Sequence, residues 1–485
     1  MNAISQLMPQ EVWRYFSEIL RIPRPSKKEE KIIAWLMDFA NEHGLSAAKD
    51  QAGNVVIRKP GTKGRESWPA IVLQTHVDMV CEKNSDKVFD FDHDEITALV
   101  ADEWVTADGT TLGADNGIGI AAQLALLAAD TIPHGPLECL FTVDEETGLT
   151  GANALQPGFI SGKMLINLDS EDEGELFIGC AGGMDTIATF TCAKEVSPAN
   201  GKALELTVNG LLGGHSGDDI HKGLGNANKI LVRFLVQASG KYPLHLASID
   251  GGNLRNAIAR EARATVIIPD ELSQDLIADF QNYSEKVRFE YEKTEPGLML
   301  THRLVEFPEE VLDGNTVHYL LMALMACPHG VLEWSFRMPG MVETSTNLAS
   351  IKMKENGEIV IATSQRSEIE SRKQMASAMV SAVFRLAGAH VRHSDGYPGW
   401  TPNPESPLLK IAVDSYKKCF GTEPIVRSIH AGLECGLFLE KYPGLDMISI
   451  GPTIKGAHSP SERILISTVE KFWVHLLDIL DNTRS

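Results

Sequence analysis

No Cys-x-x-Cys pair occurs in the chain, and its seven cysteines are odd in number and scattered from Cys81 to Cys435. That excludes a paired-cysteine zinc knot and argues against a disulfide framework, so reduced thiols of a cytosolic protein are expected. A long apolar run is also missing. The longest, over 118–129, is broken by Gln123; it falls short of the roughly 20 residues that span a bilayer and reads as a buried helix. The first ten residues show no basic stretch followed by an apolar one, so no secretory leader is expected. Positive charge is in deficit, with 44 Lys and Arg against 65 Asp and Glu, a net charge of -21. Nucleic acid and anionic membranes are bound through cations, so neither is an expected partner. No internal repeat or low-complexity segment is evident.

What is present describes an ordinary globular protein, 43% hydrophobic and 22% charged. A length of 485 residues exceeds one ordinary core, and two or three domains are expected. Apolar residues at three- and four-residue spacing predict helices over 11–19 and 28–40. Short apolar runs with turn residues close by predict strands over 54–57, 70–74, 137–141 and 164–168, with a helix from 117 to 129 between two of them. Strands alternating with helices imply an α/β sheet covered on both faces. The texture changes near Gly179-Cys180-Ala181-Gly182-Gly183 and returns after Gly396-Tyr397-Pro398-Gly399-Trp400. The expected organisation is therefore one α/β domain over 1–184 and 397–485, interrupted by a second over 185–396.

Chemistry enters with His76 and Asp78, Asp115, the pair Glu145-Glu146, Asp169 and His458. Each is expected at the end of an apolar run, where an α/β sheet delivers its strand ends to one edge. His76 and Asp78 stand two apart and share a face on a strand, where a carboxylate orients a ligating imidazole. Each residue alone has a plain alternative. His76-Val77-Asp78 is an ordinary strand end, Asp115 a helix N-cap, Glu145-Glu146 a solvated turn, and Asp169 the start of an acidic loop. A phosphate loop is a poorer reading of 113–119, whose spacing fits neither the Walker nor the dinucleotide fingerprint. Five such segments in order are harder to explain by accident. Two histidines and three carboxylates hold two divalent ions if one carboxylate bridges them, and such a pair polarises a carbonyl and activates water. That is hydrolase chemistry.

Longer motifs carry a resemblance. Gly109-Thr110-Thr111-Leu112-Gly113-Ala114-Asp115-Asn116-Gly117-Ile118-Gly119, Gly213-Gly214-His215-Ser216-Gly217, Leu254-Arg255-Asn256-Ala257-Ile258 and His430-Ala431-Gly432-Leu433-Glu434-Cys435-Gly436 resemble the M20 metallopeptidase family, nearly end to end. The resemblance implies a discontinuous zinc-peptidase-like α/β catalytic domain with an inserted α+β lid domain. It implies one metal held by His76 and Asp169 and another by Glu146 and His458, with Asp115 bridging. Zn2+ is the default, with Co2+ and Mn2+ as alternatives. Asp78 is implied to orient His76, and Glu145 to act as general base. In the lid, His215 is implied to stabilise an oxyanion, and Asn256 and Arg366 to hold a substrate carboxylate, for which the planar fork of arginine is suited. The expected activity is hydrolysis of unblocked dipeptides of broad side-chain type, Xaa-His included, in the cytoplasm. A homodimer through the lid is a further expectation. The rivals are an N-acyl amino acid amidohydrolase, a tripeptide aminopeptidase, and a binding protein that should have lost Glu145 or a ligand.

Overall fold

The computed structural model describes residues 3–484. Two compact units emerge. One holds the chain up to Gly179, Trp400–Ser428 and the chain from Leu433 onward; the other holds Cys180–Gly399 and Ile429–Gly432. The four-residue return to the second unit carries no compositional signal, so only the folded chain reveals it.

The first unit is built on an eight-stranded mixed sheet. Its order is Ser46–Lys49, Val55–Lys59, Leu137–Thr142, Ile71–His76, Met164–Asn167, Asp446–Ser449, Glu175–Cys180 and Ile425–Ile429. Ile71–His76 runs parallel to both Leu137–Thr142 and Met164–Asn167, with His76 opposite Thr142. Every residue of Ile71–His76 and Leu137–Thr142 is buried. Strands covered on both faces are mostly apolar, and the polar Gln74 and Glu138 inside these two are buried with hydrogen-bond partners. The runs end together, so the residues that follow them emerge at one edge.

The helix Ala114–Ala128 is buried almost all round, as expected of a helix without a polar face. Burying each of Ile118, Ile120, Leu124 and Leu126 completely contributes about 1.5–3 kcal/mol per side chain. A four-stranded sheet in the order Ile454–Lys455, Arg463–Leu465, Trp104–Ala107 and Ala98–Ala101 carries the hairpin loop that bears His458.

The second unit is a nine-stranded antiparallel sheet among the described residues. Its central strands are His245–Gly251, Val342–Met353, Glu358–Ser367 and Gly182–Thr191. Ala227–Ser239, Ser273–Glu290, Gly314–Ala326 and Glu370–Leu386 supply the helices. Leu231, Phe234, Phe280, Leu320 and Phe384 from these helices share one apolar cluster with Ala188, Leu348, Ile359 and Ile361 from the sheet. Such a core makes Phe280→Ala or Phe384→Ala costly, about 3–5 kcal/mol each. No described helix is long and apolar enough to cross a membrane. None of the seven cysteines is in a disulfide among the described residues.

Candidate active site

His76 closes its strand, Asp169 follows Met164–Asn167, and Glu145 and Glu146 open a short helix after Leu137–Thr142. Asp115 departs from the expectation. It comes from the start of the Ala114–Ala128 helix rather than from a strand end, and its own backbone is not helical. Nor does it cap: Gly113 holds the N-cap position in a left-handed conformation. A Cβ at Gly113 would lie 2.6 Å from the Arg24 guanidinium, so a glycine is needed there both for its backbone and for the space. The Asp115 side chain is thereby released toward two histidines.

Those contacts define the centre. His76 Nε2 faces Asp115 Oδ1 at 3.0 Å and Asp169 Oδ1 at 3.3 Å. His458 Nε2 faces Asp115 Oδ2 at 3.2 Å and Glu146 Oε2 at 3.0 Å. Asp115 thus turns one oxygen to each imidazole. One ring nitrogen carries at most one proton for its two facing oxygens, so a divalent cation suits each trio better than hydrogen bonds do. Glu146 Oε1 is buried without a hydrogen-bond partner among the described residues. The donor atoms of His76, Asp115 and Asp169 cluster within 4.8 Å of one another, as do those of Asp115, Glu146 and His458. Imidazole nitrogens with carboxylate oxygens are a zinc-type donor set. These residues fit divalent metal.

The charges are strongly coupled. Burial alone would disfavour a charged His76, but Asp169, Asp115 and Asp78 outweigh it and raise its pKa well above the ordinary value. Hydrogen bonds to Asp115 and Glu146 push His458 up to about 11. Asp115 is held below the ordinary carboxylate range, against its burial, by His458 and His76. Burial raises Asp169 to about 6 and lifts Glu145 well above its usual value. A carboxylate so raised is a better proton acceptor than an exposed one.

Asp78 does more than the sequence suggests. It lies 3.4 Å from His76 Nδ1, but its shorter contacts are to other groups. Its oxygens accept from the backbone N–H of Glu145 at 3.0 Å and of Glu146 at 3.2 Å, and from the Ser26 hydroxyl at 2.8 Å. It ties the glutamate turn to the histidine strand. His76 and these hydrogen bonds hold it at about 2 although burial opposes ionisation.

The second unit groups the three lid residues around Ser216. Its N–H donates to the Asn256 carbonyl at 2.8 Å, and its hydroxyl accepts from Arg366 Nε at 3.4 Å. His215 precedes it; Asp218 engages His215 Nδ1 at 3.3 Å, which leaves Nε2 without a hydrogen bond among the described residues. Arg366 is 7% exposed and makes no ion pair among the described residues.

Sequence reasoning missed three supports. Arg24 is 1% exposed and donates to the carbonyls of Val77, Asp78 and Gly113 at 2.9, 2.8 and 2.5 Å. Glu462 accepts from four consecutive N–H groups, Leu112 to Asp115, at 2.7–3.3 Å. Together they fix the turn that carries Asp115. Glu434, to which the sequence reading assigned no role, accepts from Gln74 Nε2 at 2.6 Å and the Thr142 hydroxyl at 2.8 Å, and burial raises it to about 8.

Residues 72–482 match the profile of Peptidase family M20/M25/M40. The chain belongs to that family. It is 43% identical over 480 residues to the cytosol non-specific dipeptidase of Escherichia coli strain K12, covering 99% of each chain. It is also similar to the crystal structure of aminoacylhistidine dipeptidase from Vibrio alginolyticus, with a TM-score of 0.92, 44% identity, and coverage of 99% and 98%. A tripeptidase from Staphylococcus aureus shares the fold at a TM-score of 0.57 and 16% identity, with coverage of 98% and 99%.

Proposed function

We propose that this chain is a metal-dependent dipeptidase that hydrolyses unblocked dipeptides of broad side-chain type, Xaa-His among them, in the cytoplasm. The observation that carries the reading is the paired geometry at Asp115, one oxygen toward His76 and the other toward His458, in a chain 43% identical to a dipeptidase. His76 and Asp169 would hold one divalent ion and Glu146 and His458 the other, with Asp115 shared; zinc is the first candidate. Ions so held polarise a carbonyl and acidify water.

The chain's own groups do the rest. Glu145 takes the proton of the attacking water and returns it to the leaving amine, a task suited to a carboxylate whose pKa burial has raised. Asp78 keeps the Glu145-Glu146 backbone and the His76 ring in register. His215 donates through Nε2 to the oxygen of the tetrahedral intermediate. Asn256 and Arg366 hold the C-terminal carboxylate of the dipeptide. Its free amine is held by carboxylates beside the metals.

Hydrolysis of Ala-His, measured beside its N-acetylated form with metal-loaded wild type and Glu145→Gln, tests this. Cleavage of the free dipeptide alone is expected, with kcat about 10²–10⁴-fold lower in the variant at unchanged metal content. Preference for the acetylated form would make the chain an N-acyl amino acid amidohydrolase. Preference for Ala-Ala-Ala over Ala-Ala would make it a tripeptidase.

A further inference from the structure

Arg366 is a buried cation set among hydroxyls and an imidazole. Antiparallel pairing sets Ser345 directly opposite it on one side and Gly183 on the other. Residues opposite one another across a sheet share a face. Ile359 and Ile361, on the same strand, belong to the helix-covered core, and their odd positions place Arg366 on the other face.

Two residues from outside these strands flank the guanidinium. Tyr397 fills the place a side chain at 183 would take. A Cβ on Gly183 would come within 2.7 Å of the Tyr397 ring, and a Cβ on Gly432 would meet the same ring at 2.7 Å. The ring therefore occupies a slot made by two missing side chains, with its hydroxyl 2.9 Å from Arg366 Nη1. On the opposite flank, His430 Nε2 lies 2.8 Å from the Ser345 hydroxyl. His430 Nδ1 is buried and has no partner among the described residues.

The protons can be followed one by one. Arginine only donates. Ser216 and Tyr397 accept from it, so each retains a hydroxyl proton for another acceptor. Burial, followed by the charge of Arg366, pushes His430 down to about 3, which leaves it neutral. In the tautomer where Nε2 accepts from the Ser345 hydroxyl, Nδ1 carries the N–H. One guanidinium, two hydroxyl protons and one imidazole N–H thus lie along this face with no hydrogen-bond acceptor of their own among the described residues. The acid among these neighbours, Asp218, is engaged by His215 at 3.3 Å. Donors so arranged fit a flat anion with two oxygens, and buried donors left unpaired are costly enough to discriminate strongly against a ligand lacking it.

We propose that Tyr397 and His430 are substrate-binding residues that join Arg366 in gripping the C-terminal carboxylate, Tyr397 through its O–H and His430 through Nδ1–H. The assignment rests on the dipeptidase reading above and sharpens it: the enzyme should demand a free C-terminal carboxylate and treat C-terminal amides as poor substrates.

The test compares Ala-His with Ala-His amide in the metal-loaded wild type, Tyr397→Phe and His430→Asn. Phenylalanine keeps the ring in its slot and removes only the hydroxyl. For Tyr397→Phe, kcat/KM on Ala-His is expected to fall ~10–100-fold, as befits one hydrogen bond to a charged group, mainly through KM. The amide's kcat/KM should stay within about twofold of wild type, since that substrate offers no carboxylate for the lost proton. His430→Asn is expected to narrow the same selectivity. Equal losses on both substrates, or none on Ala-His, would overturn the assignment. Wild type that cleaves the two substrates equally would remove the carboxylate clamp altogether, Arg366 included. Selectivity present in wild type and intact in both variants, with unchanged Tm, would sink Tyr397 and His430 alone.

Discussion

Around Asp115 the chain crowds Asp78, Glu145, Glu146 and Asp169 against two histidines; around Arg366 it gathers hydroxyls and a neutral imidazole, with no acid ion-paired to Arg366 among the described residues. The first arrangement is an excess of acceptors and the second an excess of donors. Like charges or like donors packed together cost free energy unless a partner of opposite character arrives. Each region therefore advertises its ligand by what its own side chains leave unsatisfied: cations in the first unit, an anion in the second.

The sharpest way to break the comparison is to remove the residue shared by both histidines. Asp115→Ala should leave metal analysis with half the wild-type metal or less, and peptidase activity should fall at least about 10³-fold, because the groups that activate water are no longer held. Full metal content in the purified variant would show that Asp115 is not the bridge. On the donor side, Arg366→Met keeps much of the volume and deletes the charge. It should lower kcat/KM for Ala-His by roughly 30–1000-fold, the scale of losing a buried charge partner, with metal content untouched. If Arg366→Met instead depleted metal, the two regions would not be chemically separate.

The two regions also differ in how far they can be read from the chain. His76, Glu145 and Asp169 follow apolar runs that become strands almost where the pattern places them: 70–74 became Ile71–His76, and 137–141 became Leu137–Thr142. Their roles sit beside a local signal. Asp115 was legible as a residue but not as a position, because a glycine-rich turn into a helix looks the same whether its acid caps the helix or leaves it. Arg24 and Glu462 gave no signal. They satisfy backbone groups as many as 350 residues away, and no local pattern encodes such a bond. The row of Ser345, Arg366 and Gly183 is set by strand register across the second unit. Tyr397 read only as part of a Gly-Pro turn, and His430 only as part of a motif, until the folded chain brought both beside that row.

The smallest effect separates the regions by proton affinity. Carboxylates raise the pKa values of His76 and His458, whereas burial, with Arg366 and His215 beside it and Asp218 opposing, lowers that of His430 to about 3. An unfolded histidine titrates near 6.5. Between that value and about 3, the unfolded chain therefore binds a proton at this position that the folded chain refuses. Stability linked to His430 is complete above about pH 6.5 and is lost as pH falls toward 3, with a limiting slope of about 1.4 kcal/mol per pH unit. Urea unfolding of wild type and His430→Asn between pH 7.5 and 4.5 isolates that slope, since other titrating groups are common to both. Wild type should lose stability faster on the acid side, and the difference between the two should vanish near pH 7.5 apart from a constant offset. Parallel curves would mean that His430 takes up its proton in the folded protein. The imidazole would then be a second cation beside Arg366, and both regions would share the same kind of charged histidine.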